Sequence, residues 1–211
     1  MTIASTHAAG LTSANGAPVF YDNGDHHPQQ GTLLGFWLYL MSDAVIFALL
    51  FMTYGIMVGN TAGGPTGKAL FDLNNAAIET ALLLVSSITF GFASIAARQG
   101  ERSAVLGWLA VTFVLGAGFV FLEIREFAGM IAAGAGPQRS GFLSAFFTLV
   151  GTHGLHVSTG LVWILIMAGQ VASKGLTFAV TSRLFRLGLF WHFLDIAWVG
   201  IFSVVYLPGL L

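Results

Sequence analysis

Long apolar segments alternate with short polar segments along most of this chain, and the alternation indicates its secondary structure. Five apolar segments are long enough to cross about 30 Å of hydrocarbon as helices with a rise of about 1.5 Å per residue. The segments between them are short and rich in glycine, proline or charged residues. The pattern predicts an all-α polytopic membrane protein, a bundle of five transmembrane helices, at residues 33–58, 75–97, 104–130, 142–172 and 187–210.

The beginning of the chain does not follow this pattern. Residues 1–30 are rich in small and polar residues and contain no Lys or Arg. We therefore divide the chain into a polar N-terminal tail, 1–30, and a five-helix transmembrane domain, 31–211. Basic residues stay on the cytoplasmic side of a membrane. Two of them lie in connections on one side (Lys68 and Arg139) and five on the other (Arg98, Arg102, Lys174, Arg183 and Arg186), which predicts a cytoplasmic N-terminus and a periplasmic C-terminus.

Composition supports a membrane protein and excludes several kinds of site. Hydrophobic residues make up 56% of the chain and charged residues only 8%, whereas soluble domains carry about 25% charged residues. The net charge of −1 offers no basic surface for nucleic acid. Because the chain has no cysteine, disulfides, iron–sulfur clusters and thiolate zinc sites are excluded.

Ionisable residues inside the predicted spans are the candidates for function, because burying them in hydrocarbon is costly. Pairs three residues apart share a helix face, and three such pairs occur here. A metal or haem site, a proton relay and interhelical hydrogen bonding all remain open for the histidines, with hydrogen bonding favoured. The candidates are Asp43, Glu79, Glu123, Glu126, His153, His156, His192 and Asp195.

Charge and aromatic content suggest two further roles at the membrane surface. Four arginines at the cytoplasmic ends of helices are candidates for binding lipid headgroups or a partner: Arg98, Arg102, Arg183 and Arg186. Tryptophan is enriched where a membrane meets water. The five tryptophans are accordingly predicted to be mostly interface anchors: Trp37, Trp108, Trp163, Trp191 and Trp198.

Several motifs together resemble subunit III of the haem-copper respiratory oxidases. They are Gly-Thr-His-Gly-Leu-His-Val at 151–157, Phe-Trp-His-Phe-Leu-Asp-Ile-Ala-Trp at 190–198 and Glu-Ile-Arg-Glu-Phe at 123–127. Asp43 falls where many members carry a membrane-embedded Glu. The resemblance covers all five predicted spans in order. The loops at 63–68 and 136–142 are most similar to the quinol-oxidising branch of the cytochrome bo type, and this chain is shorter than members with seven helices.

The resemblance implies a role in an enzyme complex without redox chemistry in this chain. In that family subunit I holds haem and copper, reduces oxygen and pumps protons, and it is accompanied by subunit II and a small subunit IV. Subunit III packs against subunit I and binds phospholipid in a cleft. We therefore expect no catalytic residue, metal ligand or cofactor here, and we expect the buried polar candidates to anchor helix packing and the lipid cleft.

Two other classes of protein compete with this interpretation. An autonomous proton-coupled transporter or channel would need a polar path between the two membrane faces, and the acids are spread widely enough in depth to permit one. A haem-binding membrane cytochrome would need axial ligands such as the two histidines of 151–157.

Overall fold

The computed structural model describes residues 28–67 and 71–210. The chain divides into Met1–Gly35 and Phe36–Leu211, and α1 from Phe36 onward belongs to the second unit. The described elements are all helical, which confirms the predicted fold class. They are α1 Pro28–Met57, α2 Leu73–Gln99, α3 Arg102–Ala132, α4 Gly141–Lys174 and α5 Phe178–Ile201, which continues as a π-helical turn, Phe202–Tyr206, and a short α6, Leu207–Leu210.

Among the described helices, five are long and apolar enough to span a membrane, as predicted. The spans are Leu33–Met57, Leu73–Gln99, Arg102–Ala132, Gly141–Lys174 and Phe178–Tyr206. The last span begins nine residues before the predicted start at 187. Its first turns contain Thr181, Ser182 and Arg183, which lower the local hydropathy and hide the helix from an apolar pattern. Of the predicted tail, residues 28–30 belong to α1 and the rest lies outside the described residues.

Local side chains explain where two of the helices begin and end. The Asp72 carboxylate accepts the backbone N–H of Asn74 at 2.9 Å and begins α2. At the other end Gly100 has a φ of 78°, a left-handed conformation that glycine adopts without cost. The Ser140 hydroxyl accepts the N–H of Leu143 at 3.2 Å and begins α4. The turns between spans are therefore set by short-range chemistry.

Four of the helices form a closed bundle, because α2 and α4 each pack against both α3 and α5. The Trp191 ring lies between Gly116 and Gly160, where a Cβ at either glycine would be 2.9 Å from the ring. Trp191 and Trp198 are each only 1% exposed. The prediction that they anchor the membrane interface is therefore wrong for these two, since the glycines opposite Trp191 leave room for a large ring in the core.

Helix α1 lies against the outside of this bundle. The Phe47 ring inserts between His156 on α4 and Phe193 on α5, with ring centroids at 5.4 Å and 6.1 Å. The opposite face of α1 is exposed and mostly apolar, as expected for contact with lipid or with another subunit. It contains Leu38, Met41, Val45, Leu49, Met52 and Ile56.

Candidate functional site

His153 on α4 is fully buried and joins three helices. Its Nε2 atom lies 3.2 Å from the carbonyl oxygen of Leu194 on α5, so the ring donates a hydrogen bond to that backbone. The indole of Trp198 lies beside the imidazole at 5.1 Å, and the Phe119 ring on α3 meets it edge-on at 5.6 Å. With the Phe47 ring at 6.3 Å, the surroundings of His153 include three aromatic rings and one carbonyl oxygen.

His156 lies one turn further along α4 and faces a different helix. Its Nδ1 atom is 2.8 Å from the carbonyl oxygen of Thr152, in its own helix. Its Nε2 atom is 3.7 Å from a carboxylate oxygen of Asp43 on α1. Because His153 points towards Leu194 and His156 towards Asp43, the two histidines do not converge on one ligand.

The hydrogen bond of His156 to its own helix limits how the ring can contact Asp43. Since a carbonyl oxygen can only accept, Nδ1 of His156 must carry the hydrogen that it donates to Thr152. Nε2 then has a proton only if the ring is charged; otherwise a protonated Asp43 would have to donate to it. Asp43 is 6% exposed, and the 3.7 Å separation exceeds a direct hydrogen bond. This pair therefore links α1 to α4 by electrostatics or through a water.

His192 and Asp195 share a face of α5, as their spacing predicted. The His192 Nδ1 atom is 3.8 Å from the Asp195 carboxylate. A shorter contact joins the same Nδ1 to the hydroxyl of Ser87 on α2, at 2.6 Å. Ser87 was not singled out from the sequence, because one hydroxyl in an apolar helix gives no signal of its partner.

The three glutamates lie where α2, α3 and the π-helical turn meet. The Asn75 amide donates to Glu79 at 3.3 Å, and the Tyr206 hydroxyl donates to Glu126 at 3.1 Å. Glu79 is 0% and Glu123 3% exposed. One carboxylate oxygen of each, Oε2 of Glu79 and Oε1 of Glu123, has no hydrogen-bond partner in the described part of the chain.

Glu123 on α3 lies directly against the backbone of α4. A Cβ placed on Gly154 would be 2.6 Å from the Glu123 carboxyl carbon. The glycine between the two histidines of the motif at 151–157 therefore makes room for a buried carboxyl group. The motifs at 123–127 and 151–157 are separate in the sequence, but they pack against each other through Glu123 and Gly154.

Further hydrogen bonds cross between helices, and the sequence did not predict these pairings. The Trp191 indole donates to the Ser86 hydroxyl at 3.1 Å, and the Trp198 indole donates to Thr80 at 3.0 Å. The hydroxyl groups of Thr89 and Thr112 lie 2.8 Å apart. These contacts join α2 to α5 and to α3, so polar groups hold the bundle together at several levels.

The four arginines differ in what they contact. The Arg102 guanidinium donates to the carbonyl oxygen of Ala172, and Arg183 donates to the Gln170 side chain at 3.0 Å. Both therefore bind the C-terminal end of α4. Arg98 lines a groove between α2 and α5. Within 28–67 and 71–210, neither Arg98 nor Arg186 has a hydrogen-bond or ion-pair partner.

This geometry defines a class of protein: a membrane bundle of five spans with histidines and carboxyl groups between its helices. The chain belongs to the family of cytochrome c oxidase subunit III, which it matches over residues 19–210. The family predicted from the sequence motifs is therefore confirmed.

Individual relatives are similar over nearly the whole chain. A cytochrome bo(3) ubiquinol oxidase subunit 3 from Pseudomonas putida is 56% identical over 186 residues, 88% of this chain and 90% of the relative. The protein of the same name from Pseudomonas aeruginosa is 52% identical over 199 residues, 94% and 95% of the two chains. These relatives are subunits of respiratory quinol oxidases.

A relative that is named for cytochrome c rather than for quinol is similar as well. A cytochrome c oxidase subunit 3 from Bacillus sp. (strain PS3) is 43% identical over 177 residues, 84% of this chain and 86% of the relative. The sequence predicts a chain shorter than seven-helix members, but this relative, named for cytochrome c, is covered over 86% of its own length. The identity to the two Pseudomonas proteins, 56% and 52%, exceeds the 43% identity to this Bacillus protein.

Proposed function

We propose that this chain is the accessory, non-redox subunit III of a proton-pumping terminal quinol oxidase of aerobic respiration. It stabilises the catalytic haem-copper subunit I and binds lipid, while the complex oxidises quinol and reduces oxygen to water. The names of the relatives support the complex. The observation that carries the accessory role is that His153, His192 and Glu126 each hydrogen-bond to another helical segment of this chain.

The separation of the two histidines supports this role in particular. Haem or metal ligation needs convergent donor atoms, whereas His153 donates to Leu194 and His156 faces Asp43. A buried polar group that has found an interhelical partner serves packing at a modest gain, about 0.6 kcal/mol on average in membranes. We therefore assign the haem and copper to subunit I and no cofactor to this chain.

The complex we propose lies in the bacterial inner membrane. This chain crosses it with its N-terminus in the cytoplasm and its C-terminus in the periplasm, and it associates with subunits I and II and a small subunit IV. The distribution of basic residues supports that orientation, because five of the seven in the connections would lie inside.

A groove between α1 and α4 supports the lipid-binding part of the proposal. It measures ≈ 230 Å³ and is mostly apolar, with three hydroxyl-bearing residues on its walls. Its shape suits an acyl chain. The lining residues are Leu50, Thr53, Met57, Gly141, Ser144, Ala145 and Thr148.

An autonomous proton-coupled transporter or channel is the alternative, and aromatic packing argues against it. A proton path would have to connect Glu123 near α4 with the Asp43–His156 pair. The rings of Phe119 and Phe47 both pack against His153, with centroids at 5.6 Å and 6.3 Å. Apolar rings around this histidine disfavour a continuous polar path through that part of the bundle.

Affinity purification of the tagged full-length chain in mild detergent tests the proposal. We expect it to bring down a large haem-bearing subunit, and we expect quinol-dependent oxygen consumption by the purified assembly. The separated chain should have no Soret absorption band. A stoichiometric Soret band in the separated chain would overturn the accessory role, and a chain that purifies alone and moves protons in liposomes would favour the transporter.

A further inference from the structure

His192 occupies an unusual position for an ionisable side chain. It lies fourteen residues from each end of the span Phe178–Tyr206, about 21 Å along the helix from either end. Its hydrogen-bond partner Ser87 is also near the middle of α2, fourteen residues after Leu73 and twelve before Gln99. Both helices therefore place this contact close to the bilayer centre. Yet 47% of the His192 side chain is exposed on the outer surface of the bundle.

Hydrocarbon cannot satisfy this exposed ring. Ionisable groups in membrane spans almost always face the bundle interior or a water-filled cavity. The Nδ1 atom of His192 faces Ser87 and, more distantly, Asp195. Its other ring nitrogen, Nε2, makes no hydrogen bond to any part of the chain that the structure describes. By contrast, two hydroxyl groups on the exposed face of α1, those of Ser42 and Thr53, each donate to a backbone carbonyl oxygen of their own helix.

A groove runs from His192 towards the ends of α2 and α5 that carry basic residues. It measures ≈ 210 Å³, and Arg98 lies in its wall. Gly91 forms part of the groove, and a Cβ at Gly91 would have no atom within 4 Å. Small residues such as this allow a neighbouring helix to approach closely. The groove thus combines space for a side chain with a polar group at its deep end.

We propose that this α2–α5 groove is the docking surface for a transmembrane helix of another subunit of the oxidase. That helix carries a hydrogen-bonding side chain opposite Nε2 of His192 and places an acceptor near Arg98. The inference rests on the proposed function, because it needs a partner subunit. A phospholipid is the other possible occupant, but an acyl chain in the groove would leave Nε2 unpaired at the bilayer centre.

Filling the groove at a glycine tests the proposal, because a Cβ at that position meets no atom of the chain within 4 Å. Gly91→Leu adds a side chain into open space, and Gly107→Leu on α3 is its matched control, since a Cβ there also meets no atom within 4 Å. We expect Gly91→Leu to reduce the amount of copurified partner about tenfold, which corresponds to a loss of about 1.4 kcal/mol in binding free energy. Gly107→Leu should retain the partner, and both separated chains should keep wild-type helicity and thermal unfolding.

A photocrosslinking residue identifies the occupant directly. It is placed at Phe185, which lines the groove and is 50% exposed, and at Leu49 on the outer face of α1, which is 59% exposed. In the intact complex we expect the probe at Phe185 to join this chain to another subunit, and the probe at Leu49 to label lipid.

Two results would overturn the docking surface and leave the proposed function standing. In the first, the probe at Phe185 labels lipid and no other subunit. In the second, the wild-type chain copurifies with a haem-bearing partner and Gly91→Leu retains that partner equally well. If the wild-type chain copurifies with no such partner, the proposed function itself fails.

Discussion

The Nε2 atom of His153 on α4 donates a hydrogen bond to the carbonyl oxygen of Leu194 on α5, across 3.2 Å. The carbonyl belongs to a helix backbone, so the bond fixes the two helices at one relative height regardless of the side chain at position 194. The imidazole also packs beside Trp198 and against the edge of Phe119. His153 therefore stabilises the bundle through both polar and aromatic contacts.

We expect His153→Leu to weaken the assembled complex more than its initial turnover. The substitution removes the bond to Leu194 and the aromatic contacts, while leucine keeps the site apolar. Membrane hydrogen bonds contribute about 0.6 kcal/mol on average and at most about 1.7, so a moderate fall in the dissociation temperature is expected. Initial oxygen consumption per haem should stay near wild type. The control is Leu155→Ala, because Leu155 is 69% exposed. Immediate loss of turnover in a fully assembled complex would contradict a packing role and indicate a proton-transfer role.

We expect Gly154→Ala to be much more disruptive than Gly151→Ala. The new methyl group at 154 would overlap the Glu123 carboxyl group, whereas at 151 its nearest neighbour would be a Phe127 ring atom at an ordinary 3.5 Å. Overpacking costs about 1–3 kcal/mol, but alanine in a helix is favoured over glycine by up to about 1 kcal/mol. Thermal unfolding of the separated chains measures the difference. Equal stability of the two variants would show that Glu123 does not lie against Gly154.

The five spans could be predicted from the sequence because hydrocarbon imposes length and apolarity on every helix that crosses it. Shared helix faces, such as that of His192 and Asp195, could also be predicted from the sequence, because helix periodicity determines them. The start of α5 at Phe178 was missed because its first turns are polar.

The contacts between helices could not be predicted in the same way. The Ser87 hydroxyl has the same sequence signal as any serine in a span, yet it bonds to His192 across 105 positions. Burial of Trp191 likewise depends on Gly116 and Gly160, which meet it only after three helices pack. The depth of a polar group in the membrane and the helix face that carries it follow from the sequence of one helix. The neighbouring helix that it contacts depends on how the whole bundle packs.

The Asp43–His156 pair should tolerate an amide but not an apolar side chain. Nδ1 of His156 donates to Thr152, which leaves Nε2 free to accept from an amide N–H at position 43. Asp43→Asn should therefore keep the durability of turnover, and Asp43→Leu should lower it by loosening α1 from α4. Oxygen consumption followed over many turnovers measures this. A double-mutant cycle with His156→Leu should give a coupling of about 0.6 kcal/mol, and at most about 1.7. A coupling near zero would show that the 3.7 Å contact contributes nothing.

The hydroxyl of Tyr206 should contribute measurably to stability. This side chain lies in the π-helical turn, is 0% exposed and donates to Glu126 at 3.1 Å. Tyr206→Phe keeps the ring against Phe71 and Phe146 but leaves a carboxylate oxygen without its donor, and a lost hydrogen bond of this kind costs about 1 kcal/mol. Tyr54→Phe is the matched control, since Tyr54 is 2% exposed and its hydroxyl has no hydrogen-bond partner in the described chain. Thermal unfolding should show a lower midpoint for Tyr206→Phe alone. If both variants unfold like wild type, the π-helical turn does not act through Glu126, and its stabilising contacts are the aromatic ones.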